Sequence, residues 1–229
     1  MQSPLSDPAE QRLLNFDRPL AIVGGGHVDP DLLRQLVARD VALVAADGGA
    51  DALDAAGLVP QAILGDLDSL ADRQGWESRT RVIHIPEQIT TDFQKALYST
   101  QAPVTLALGM TGKRLDHTLA ALSALHEAAT RRRVILVDEE DVALAMSGPF
   151  AFMAAPQERV SIHPLTPVVF ERTEGLVYPM NDLLLHPTGR LGTSNAAIGG
   201  RVEIVPRDGT PWLLILGRDR LWDLVAAFA

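Results

Sequence analysis

Short apolar runs alternate with helix-length amphipathic stretches over the first 140 residues of the chain. The run LAIV at 20–23 ends in three glycines, and the leucines and valine of PDLLRQLVARD at 30–40 fall on one helical face. The later strand-like runs are VALVAA, AILG, VIHI, VTLAL and VILV, and the later helix-like stretches are TTDFQKALYST and RLDHTLAALSALHEAAT. Strands that alternate with helices are joined by right-handed crossovers. The pattern therefore predicts an α/β fold with a mainly parallel sheet and helices on both faces.

The pattern changes after about residue 145. Several short apolar runs follow, separated by Pro, Gly, Asn and Asp, and no stretch shows a clear helical face. This is typical of a small antiparallel β-sandwich. We therefore predict an α/β domain at 1–143 and a β-sandwich domain at 144–229. The final DRLWDLVAAFA fits either a last strand or a short helix.

Composition narrows the classes of function. The 229-residue chain is 47% hydrophobic, which is enough for the core of one large domain or two small ones. It has 29 acidic and 20 basic residues, and a formal charge of -9 disfavours nucleic acid or an anionic membrane as a partner. The lack of cysteine excludes disulfides, thiolate metal sites and cysteine nucleophiles.

The beginning of the chain carries no targeting pattern. MQSPLSDPAEQRLLNF lacks the basic and apolar regions of a secretory leader, and nowhere do about 18 apolar residues run together. We therefore expect a cytoplasmic protein without a membrane partner.

Glycines and polar side chains collect where the predicted parallel strands end. Loops from these strand ends meet at one edge of a sheet, where helix N-termini also present free N–H groups to ligands. Five loops could therefore surround one crevice. Their candidate residues are Gly24, Gly25 and Gly26; Asp47, Gly48 and Gly49; Asp66 and Asp68; Thr91 and Asp92; and Gly109, Thr111, Gly112, Arg114 and Asp116. Thr91 has a simpler interpretation as a helix cap, and Asp47 as a turn residue.

The sequence GDLDS at 65–69 indicates a divalent cation. Asp66 and Asp68 directly follow an apolar strand, and two carboxylates in a partly dehydrated cleft repel one another unless a cation or proton intervenes. Mg²⁺ prefers one or two carboxylates together with water and substrate phosphates. An ordinary solvated turn is the alternative.

The sequence TGKRLDHTL at 111–119 is typical of a polyphosphate cradle. Thr111 and Gly112 allow close approach of backbone N–H groups, and Arg114 can grip a phosphate with two hydrogen bonds. Asp116 and His117 also fit purely local roles in the first turn of a helix, and we expect Lys113 to point to solvent.

Taken in order, these motifs resemble those of the thiamine pyrophosphokinase family. The resemblance covers about residues 20–216 and rests on AADGGAD, LGDLDSL, EQITTDFQKAL, LGMTGKRLDHTLAAL and GLVYPMNDLLLHPTGRLGTSNAAIGG, which lie between residues 45 and 200. It implies a homodimer of α/β and β-sandwich domains. It also implies Mg²⁺-dependent transfer of the pyrophosphoryl group of ATP to the hydroxyl of thiamine, with release of AMP.

The resemblance also implies roles for individual residues. Asp66, Asp68 and Asp92 would hold Mg²⁺, and Asp47 and Asp116 would complete the catalytic acidic set. Thr193, Ser194 and Asn195 would contact thiamine. The residues expected near the nucleotide are Gly25, Gly48, Gln88, Thr91, Lys95, Thr111, Gly112, Arg114 and His117. The family often has Phe at the position of Leu67 and Gly at that of Lys113.

Three questions stay open from the sequence. The acceptor of the thiamine hydroxyl proton could be Asp47, Asp92 or Asp116. The run AILGDLDS also resembles aspartyl-phosphate phosphatases, in which Asp66 would be a nucleophile. A non-catalytic nucleotide- or thiamine-binding module is the other alternative, although a mere binder has little reason to crowd like charges.

Overall fold

The computed structural model describes residues 14–228, which divide into two compact units. Unit 1 comprises the described residues up to Ala121 together with Phe228, and unit 2 comprises Leu122–Ala227. Most of the N-terminal stretch inspected for a leader lies outside the described residues. The domain boundary at 143/144 stays a prediction.

Unit 1 contains a five-stranded parallel sheet. Its order is β7-β2-β3-β4-β5, and every neighbouring pair in this order is parallel. The strands are β2 (Leu20–Val23), β3 (Ala42–Ala46), β4 (Ala62–Gly65), β5 (Arg81–His84) and β7 (Thr105–Leu108). All except β5 are buried along their full length, as apolar runs covered on both faces require. A separate two-residue parallel pair joins β1 (Leu14–Asn15) to β6 (Thr100–Gln101).

Helices follow the strands of unit 1, as the periodicity predicts. They are α1 (Pro30–Ala38), α2 (Gly49–Ala55), α3 (Arg73–Glu77) and α4 (Asp92–Ser99), while α5 (Leu115–Ala128) includes the division between the units. Proline at the first position of α1 and an Asp29 side chain that accepts the Asp31 N–H explain where α1 begins. The short α3 has no apolar periodicity and was not predicted.

Unit 2 consists mainly of antiparallel strands in two groups. One has the order β14-β11-β16-β9-β8 and the other β10-β15-β12-β13. The strands are β8 (Val134–Val137), β9 (Asp141–Met146), β10 (Phe150–Ala154), β11 (Arg159–Pro164), β12 (Val168–Glu174), β13 (Leu184–Leu185), β14 (Gly192–Ala196), β15 (Gly200–Pro206) and β16 (Trp212–Gly217). The mixed α/β class predicted from the sequence is confirmed.

The core of unit 2 includes Trp212, whose ring is fully buried and meets Phe170 edge-on at 5.5 Å between ring centroids. The ambiguous tail forms a helix, α6 (Leu221–Ala226), with Leu221, Leu224 and Val225 buried. None of the helices within residues 14–228 has the length and apolar character needed to cross a membrane.

Candidate active site

Three consecutive loops of unit 1 bring aspartates together at the carboxyl ends of the strands. Asp47 directly follows β3, Asp66 and Asp68 follow β4, and Asp92 opens α4 after β5. Carboxylate oxygens of Asp47, Asp66 and Asp68 all lie within 4.8 Å of one another. We call these three residues the acidic triangle.

Unusual backbone conformations place the side chains of the acidic triangle. Asp47 has φ 43° and Leu67 has φ 64°, both in the left-handed region that non-glycine residues rarely adopt. Leu67 is buried and anchors the turn between Asp66 and Asp68, as its apolar character predicts. Gly65 is required by space, because a Cβ there would lie 2.9 Å from both Asp47 Cβ and Asp92 Oδ1.

Asp47 is the most buried carboxylate of the group, with 3% of its surface exposed. Its Oδ2 accepts the Ser69 N–H at 3.1 Å, whereas Oδ1 is buried and has no hydrogen-bond partner among residues 14–228. Burial raises the pKa of Asp47 to about 6, and the negative charges of Asp92 and Asp68 add to this effect. A buried oxygen without a donor is a position that a cation would satisfy.

Asp66 is held from several sides. Its Oδ2 lies 3.1 Å from Lys95 Nζ and 3.0 Å from Gln88 Nε2, and its Oδ1 accepts the Asp68 N–H at 3.3 Å. Burial acts to raise the pKa of Asp66, but the hydrogen bonds from Lys95, Gln88 and Asp68 outweigh it and lower the pKa. Asp66 is therefore an ionised carboxylate with a fixed orientation.

Lys95, which the resemblance places near the nucleotide, is buried between two aspartates in this structure. Only 1% of its side chain is exposed, and Nζ lies 3.1 Å from Asp66 Oδ2 and 3.1 Å from Asp92 Oδ1. Burial acts to lower its pKa, but hydrogen bonds to Asp92 and Asp66 more than offset this and raise it. The sequence could not predict this burial, because a lysine within a short helix normally faces solvent.

Asp92 is engaged differently from the acidic triangle. Its Oδ1 accepts both the Lys95 ammonium and the Asp66 N–H, the latter at 3.3 Å. The predicted cation ligands were Asp66, Asp68 and Asp92, whereas the geometry groups Asp47 with Asp66 and Asp68. Asp92 serves as a partner for Lys95 and for the loop backbone.

The loop between β5 and α4 is stabilised by a carboxylate that the sequence did not indicate. Glu87 accepts the N–H groups of Ile89 and Thr90 at 2.7 and 3.0 Å, and the Tyr98 hydroxyl at 3.2 Å. This fixes the loop that carries Gln88. Thr91 forms a capping box with Gln94, so its side chain caps α4, in agreement with the simpler of its two interpretations.

The acidic triangle suits a hard divalent cation. Oxygen ligands are those that Mg²⁺ prefers, two of the carboxylates come from one turn, and the third offers a buried oxygen without a hydrogen bond in the described chain. The site could supply two or three carboxylate ligands and leave other positions to water and substrate.

The glycine-rich loops pack against one another. The Gly24 N–H donates to Leu108 O at 2.8 Å and the Gly26 N–H to Gly109 O at 2.7 Å, so these donors serve the fold. Gly25 lies beside Gly48, since a Cβ on Gly25 would be 3.9 Å from the Gly48 carbonyl carbon. Lys113 does not simply point to solvent, because its Nζ donates to Gly25 O at 2.6 Å. It links the predicted cradle to the first glycine loop.

Arg114 and Asp116 form an exposed pair at the start of α5. Arg114 Nε and Nη2 donate to the two oxygens of Asp116 at 3.1 and 2.6 Å. Arg114 lowers the pKa of Asp116 to about 2, with help from the N–H of His117. Thr111 O accepts the His27 N–H at 3.3 Å, and Gly112 has φ 86°. The Arg114 guanidinium therefore already makes the two parallel hydrogen bonds with which it could bind a phosphate, and here the Asp116 carboxylate accepts them.

The predicted thiamine segment lies on β14 in unit 2. Thr193 and Ser194 are exposed, and Ser194 has φ 57° with its N–H donated to Ser161 Oγ at 3.0 Å. Asn195 is buried, and its amide accepts the Tyr178 N–H at 3.0 Å and donates to Tyr178 O at 2.7 Å. Asn195 thus fixes the backbone of Tyr178, whose side chain is 67% exposed. Sequence analysis missed Tyr178, although an aromatic residue between glycine- and proline-containing turns was a usable signal.

Fold and geometry together define unit 1 as an α/β domain with an acidic candidate ligand site. Unit 1 is an α/β domain whose carboxylates are grouped at the carboxyl edge of a parallel sheet, which is where such domains bind ligands.

Comparison with known proteins shows what the chain is similar to. Residues 33–137 match the family model for the thiamin pyrophosphokinase catalytic domain. The chain is 26% identical over 197 residues to thiamine pyrophosphokinase of Bacillus subtilis (strain 168), covering 80% of this chain and 92% of the relative.

The chain is also similar in structure to solved thiamin pyrophosphokinases. Thiamin pyrophosphokinase of Geobacillus thermodenitrificans has 27% identity and a TM-score of 0.72, covering 87% of this chain and 97% of that one. Thiamin pyrophosphokinase of Candida albicans has 18% identity and a TM-score of 0.74, covering 93% and 94% respectively, and shows the shared fold. The resemblance to this family stated from the motifs is confirmed.

Proposed function

We propose that this protein is a thiamine pyrophosphokinase that transfers the pyrophosphoryl group of ATP to thiamine with Mg²⁺. The single observation that carries the proposal is the acidic triangle of Asp47, Asp66 and Asp68, placed at the strand ends of a domain that matches this family. The cation and the two substrates go beyond what the likeness to relatives establishes. The two substrates are those that the resemblance to the family implies, and the cation is supported by the chemistry of the acidic triangle.

Bound Mg²⁺ would neutralise phosphate charge and orient the triphosphate for in-line attack. Asp66 and Asp68 would hold that cation, and the unpartnered Oδ1 of Asp47 would be available as a third ligand. Arg114 exchanges Asp116 for phosphate oxygens and stabilises charge that develops in the transition state. Gly25, Gly48, Thr111 and Gly112 form the backbone surface against which the phosphates lie.

The reaction is a displacement at the β-phosphorus of ATP. The hydroxyl oxygen of thiamine forms a bond to that phosphorus, the bond from it to the α,β-bridging oxygen breaks, and AMP leaves with the electron pair. The hydroxyl proton passes to a carboxylate. The pKa of Asp116 is lowered to about 2 while Arg114 is bound to it, but Arg114 gives up that contact on binding phosphate, so Asp47, Asp92 and Asp116 all stay candidates for the acceptor.

The thiamine side of the proposal rests on unit 2. Thr193 and Ser194 expose hydroxyl groups suited to the aminopyrimidine, and Asn195 holds the backbone of Tyr178 through two hydrogen bonds. The exposed Tyr178 ring is suited to stacking on a cationic thiazolium. The pairing of an α/β catalytic domain with a β-sandwich domain, the homodimer and the cytoplasmic location likewise remain proposals.

The deciding experiment is product analysis. Purified protein incubated with ATP, Mg²⁺ and thiamine should form thiamine diphosphate and AMP in equal amounts, and neither product should form without thiamine or without Mg²⁺. Asp68→Asn should reduce turnover at least about a hundredfold, while Asp51→Asn, an exposed aspartate on α2, serves as the control.

Other products would contradict the proposal. ADP or phosphate formed without thiamine, with a phosphoryl group trapped on Asp66, would indicate the phosphatase alternative. Thermal stabilisation by both ligands without any turnover would indicate a binding module.

A further inference from the structure

Lys95 is the charged side chain of the candidate site that the proposed reaction leaves without a role. Its side chain is 1% exposed, which is rare for lysine unless the charge is paired. Both of its ion pairs, to Asp66 and Asp92, have N–O distances of 3.1 Å. A phosphate oxygen could reach Nζ only after one of these buried pairs had broken, which is costly.

The position of Lys95 gives it two effects on the acidic triangle. It holds Asp66 Oδ2 together with Gln88, so that Asp66 cannot rotate. It also occupies Asp92 Oδ1, which is three residues earlier on α4 and already accepts the Asp66 N–H. The first effect orients one member of the triangle, and the second binds Asp92 through Oδ1, while the oxygens grouped within 4.8 Å are those of Asp47, Asp66 and Asp68.

We infer that Lys95 is a positioning residue of the cation site, which orients Asp66 and withholds Asp92 from the cation, and is not a ligand of the nucleotide. This inference rests on the proposed cation site and adds a residue that controls it. The built-in positive charge also offsets part of the repulsion among the four aspartates in the absence of a cation. A cation bound by three carboxylates beside a buried ammonium is held less tightly than one bound by all four aspartates.

A direct test uses the fact that Lys95 and Lys113 are the only lysines in the chain. Protein labelled with carbon-13 lysine gives two Cε–Hε signals by NMR, which a Lys113→Arg variant assigns. Mg²⁺ alone, added to nucleotide-free protein, should shift the Lys95 signal until the site is saturated. A Lys95 signal that ignores Mg²⁺ and moves only when a nucleotide is added would overturn the inference.

A second test measures metal affinity in variants, with Mn²⁺ as the probe on nucleotide-free protein by electron paramagnetic resonance. Lys95→Met removes the charge at similar volume, so Mn²⁺ should bind roughly tenfold more tightly because the site becomes more negative and Asp92 is released. The matched variant Lys95→Met with Asp92→Asn restores the charge balance and should return the affinity to within about threefold of the unmodified protein.

Kinetics separate a positioning role from a direct one. In Lys95→Met we expect a lower kcat with a nearly unchanged KM for ATP, because the cation is displaced toward Asp92 while phosphate contacts persist. Unchanged Mn²⁺ affinity with a raised KM for ATP would instead identify Lys95 as a nucleotide ligand. Should Lys95→Met fail to fold, the NMR titration of the unmodified chain still decides. Since that titration uses no thiamine and no turnover, its failure is distinguishable from failure of the proposed activity.

Discussion

Asp47 illustrates how a single buried carboxylate can cost stability for the sake of a ligand. Its pKa is raised to about 6, mainly by burial, whereas an unfolded chain has an aspartate pKa near 3.8. The folded state therefore binds the proton more tightly than the unfolded state does. Stability from the protonated form is complete below about pH 4 and is lost as the pH rises through about 6.

Asp47→Asn should accordingly stabilise the metal-free protein at neutral pH and leave it nearly unchanged at pH 4. We expect a gain on the order of 1 to 3 kcal/mol above pH 7, measured by urea unfolding across this pH range. Asp51→Asn, which removes an exposed carboxylate from α2, is the matched control for charge. A gain of equal size at pH 4 and pH 8 would contradict the burial explanation.

Arg114 lies at the surface, yet its geometry is specific. Its bidentate contact with Asp116 shows a guanidinium fork that is already formed and that phosphate oxygens can occupy in place of the carboxylate. Arg114→Ala should raise the KM for ATP by about tenfold or more and change that for thiamine by less than about threefold. Arg114→Lys keeps the charge but not the fork, so its KM for ATP should lie between those of the unmodified protein and Arg114→Ala.

Steady-state kinetics with each substrate varied in turn will measure these effects. An Arg114→Ala enzyme that loses thiamine affinity and keeps its affinity for ATP would contradict the assignment of this loop to the nucleotide.

Helix α4 connects local sequence preference to the site, because it carries Asp92 at its first position and Lys95 one turn later. The capping box between Thr91 and Gln94 determines where α4 begins. Thr91→Ala should destabilise the protein by about 1 kcal/mol, while Thr91→Ser retains a hydroxyl cap and should cost much less. Chemical denaturation of the three proteins checks this.

The cap also bears on the site. Loosening the first turn of α4 moves the partners of Asp66, so Thr91→Ala should raise the Mg²⁺ concentration needed for half-maximal activity. A stability loss with an unchanged Mg²⁺ requirement would show that the cap and the site are independent.

Those elements with strong periodicity could be predicted from the sequence, and those without it could not. The buried runs of β2, β3, β4 and β7 carry a clear apolar signal, and the capping residues of α4 mark where it begins. The five-residue α3 has no such signal, and α6 has too few turns to be distinguished from a strand by its pattern.

The candidate site shows the same division between local and tertiary information. The sequence could place Asp47, Asp66, Asp68 and Asp92 at one edge, because strand ends of a parallel sheet meet there, but it put Asp92 in place of Asp47 among the cation ligands. The buried state of Lys95 and the clamp of Asn195 on Tyr178 depend on contacts between distant segments, which periodicity does not encode. Sequence therefore identified the chemical groups, and the structure showed how they are paired.

The residues of the acidic triangle all belong to unit 1. Binding of a ligand there should nevertheless increase the measured stability of the folded chain. A ligand that binds only the folded state adds a stabilisation that grows with the logarithm of its concentration. Mg²⁺ with ATP at about a hundred times its dissociation constant should add about 2.7 kcal/mol and raise Tm by roughly 5 to 10 °C. Trp76, buried in unit 1, and Trp212, buried in unit 2, both contribute to a fluorescence signal for this transition.

This increase in Tm should depend on the acidic triangle, because the bound cation neutralises the negative charge of the three aspartates. Mg²⁺ with ATP should therefore raise Tm of Asp68→Asn by much less, while Asp51→Asn should respond as the unmodified chain does. Replacing Mg²⁺ by EDTA should abolish the increase in every protein. If ATP with EDTA raised Tm as much as ATP with Mg²⁺, nucleotide binding would not involve a cation at these aspartates, and the physical basis of the proposed activity would be wrong.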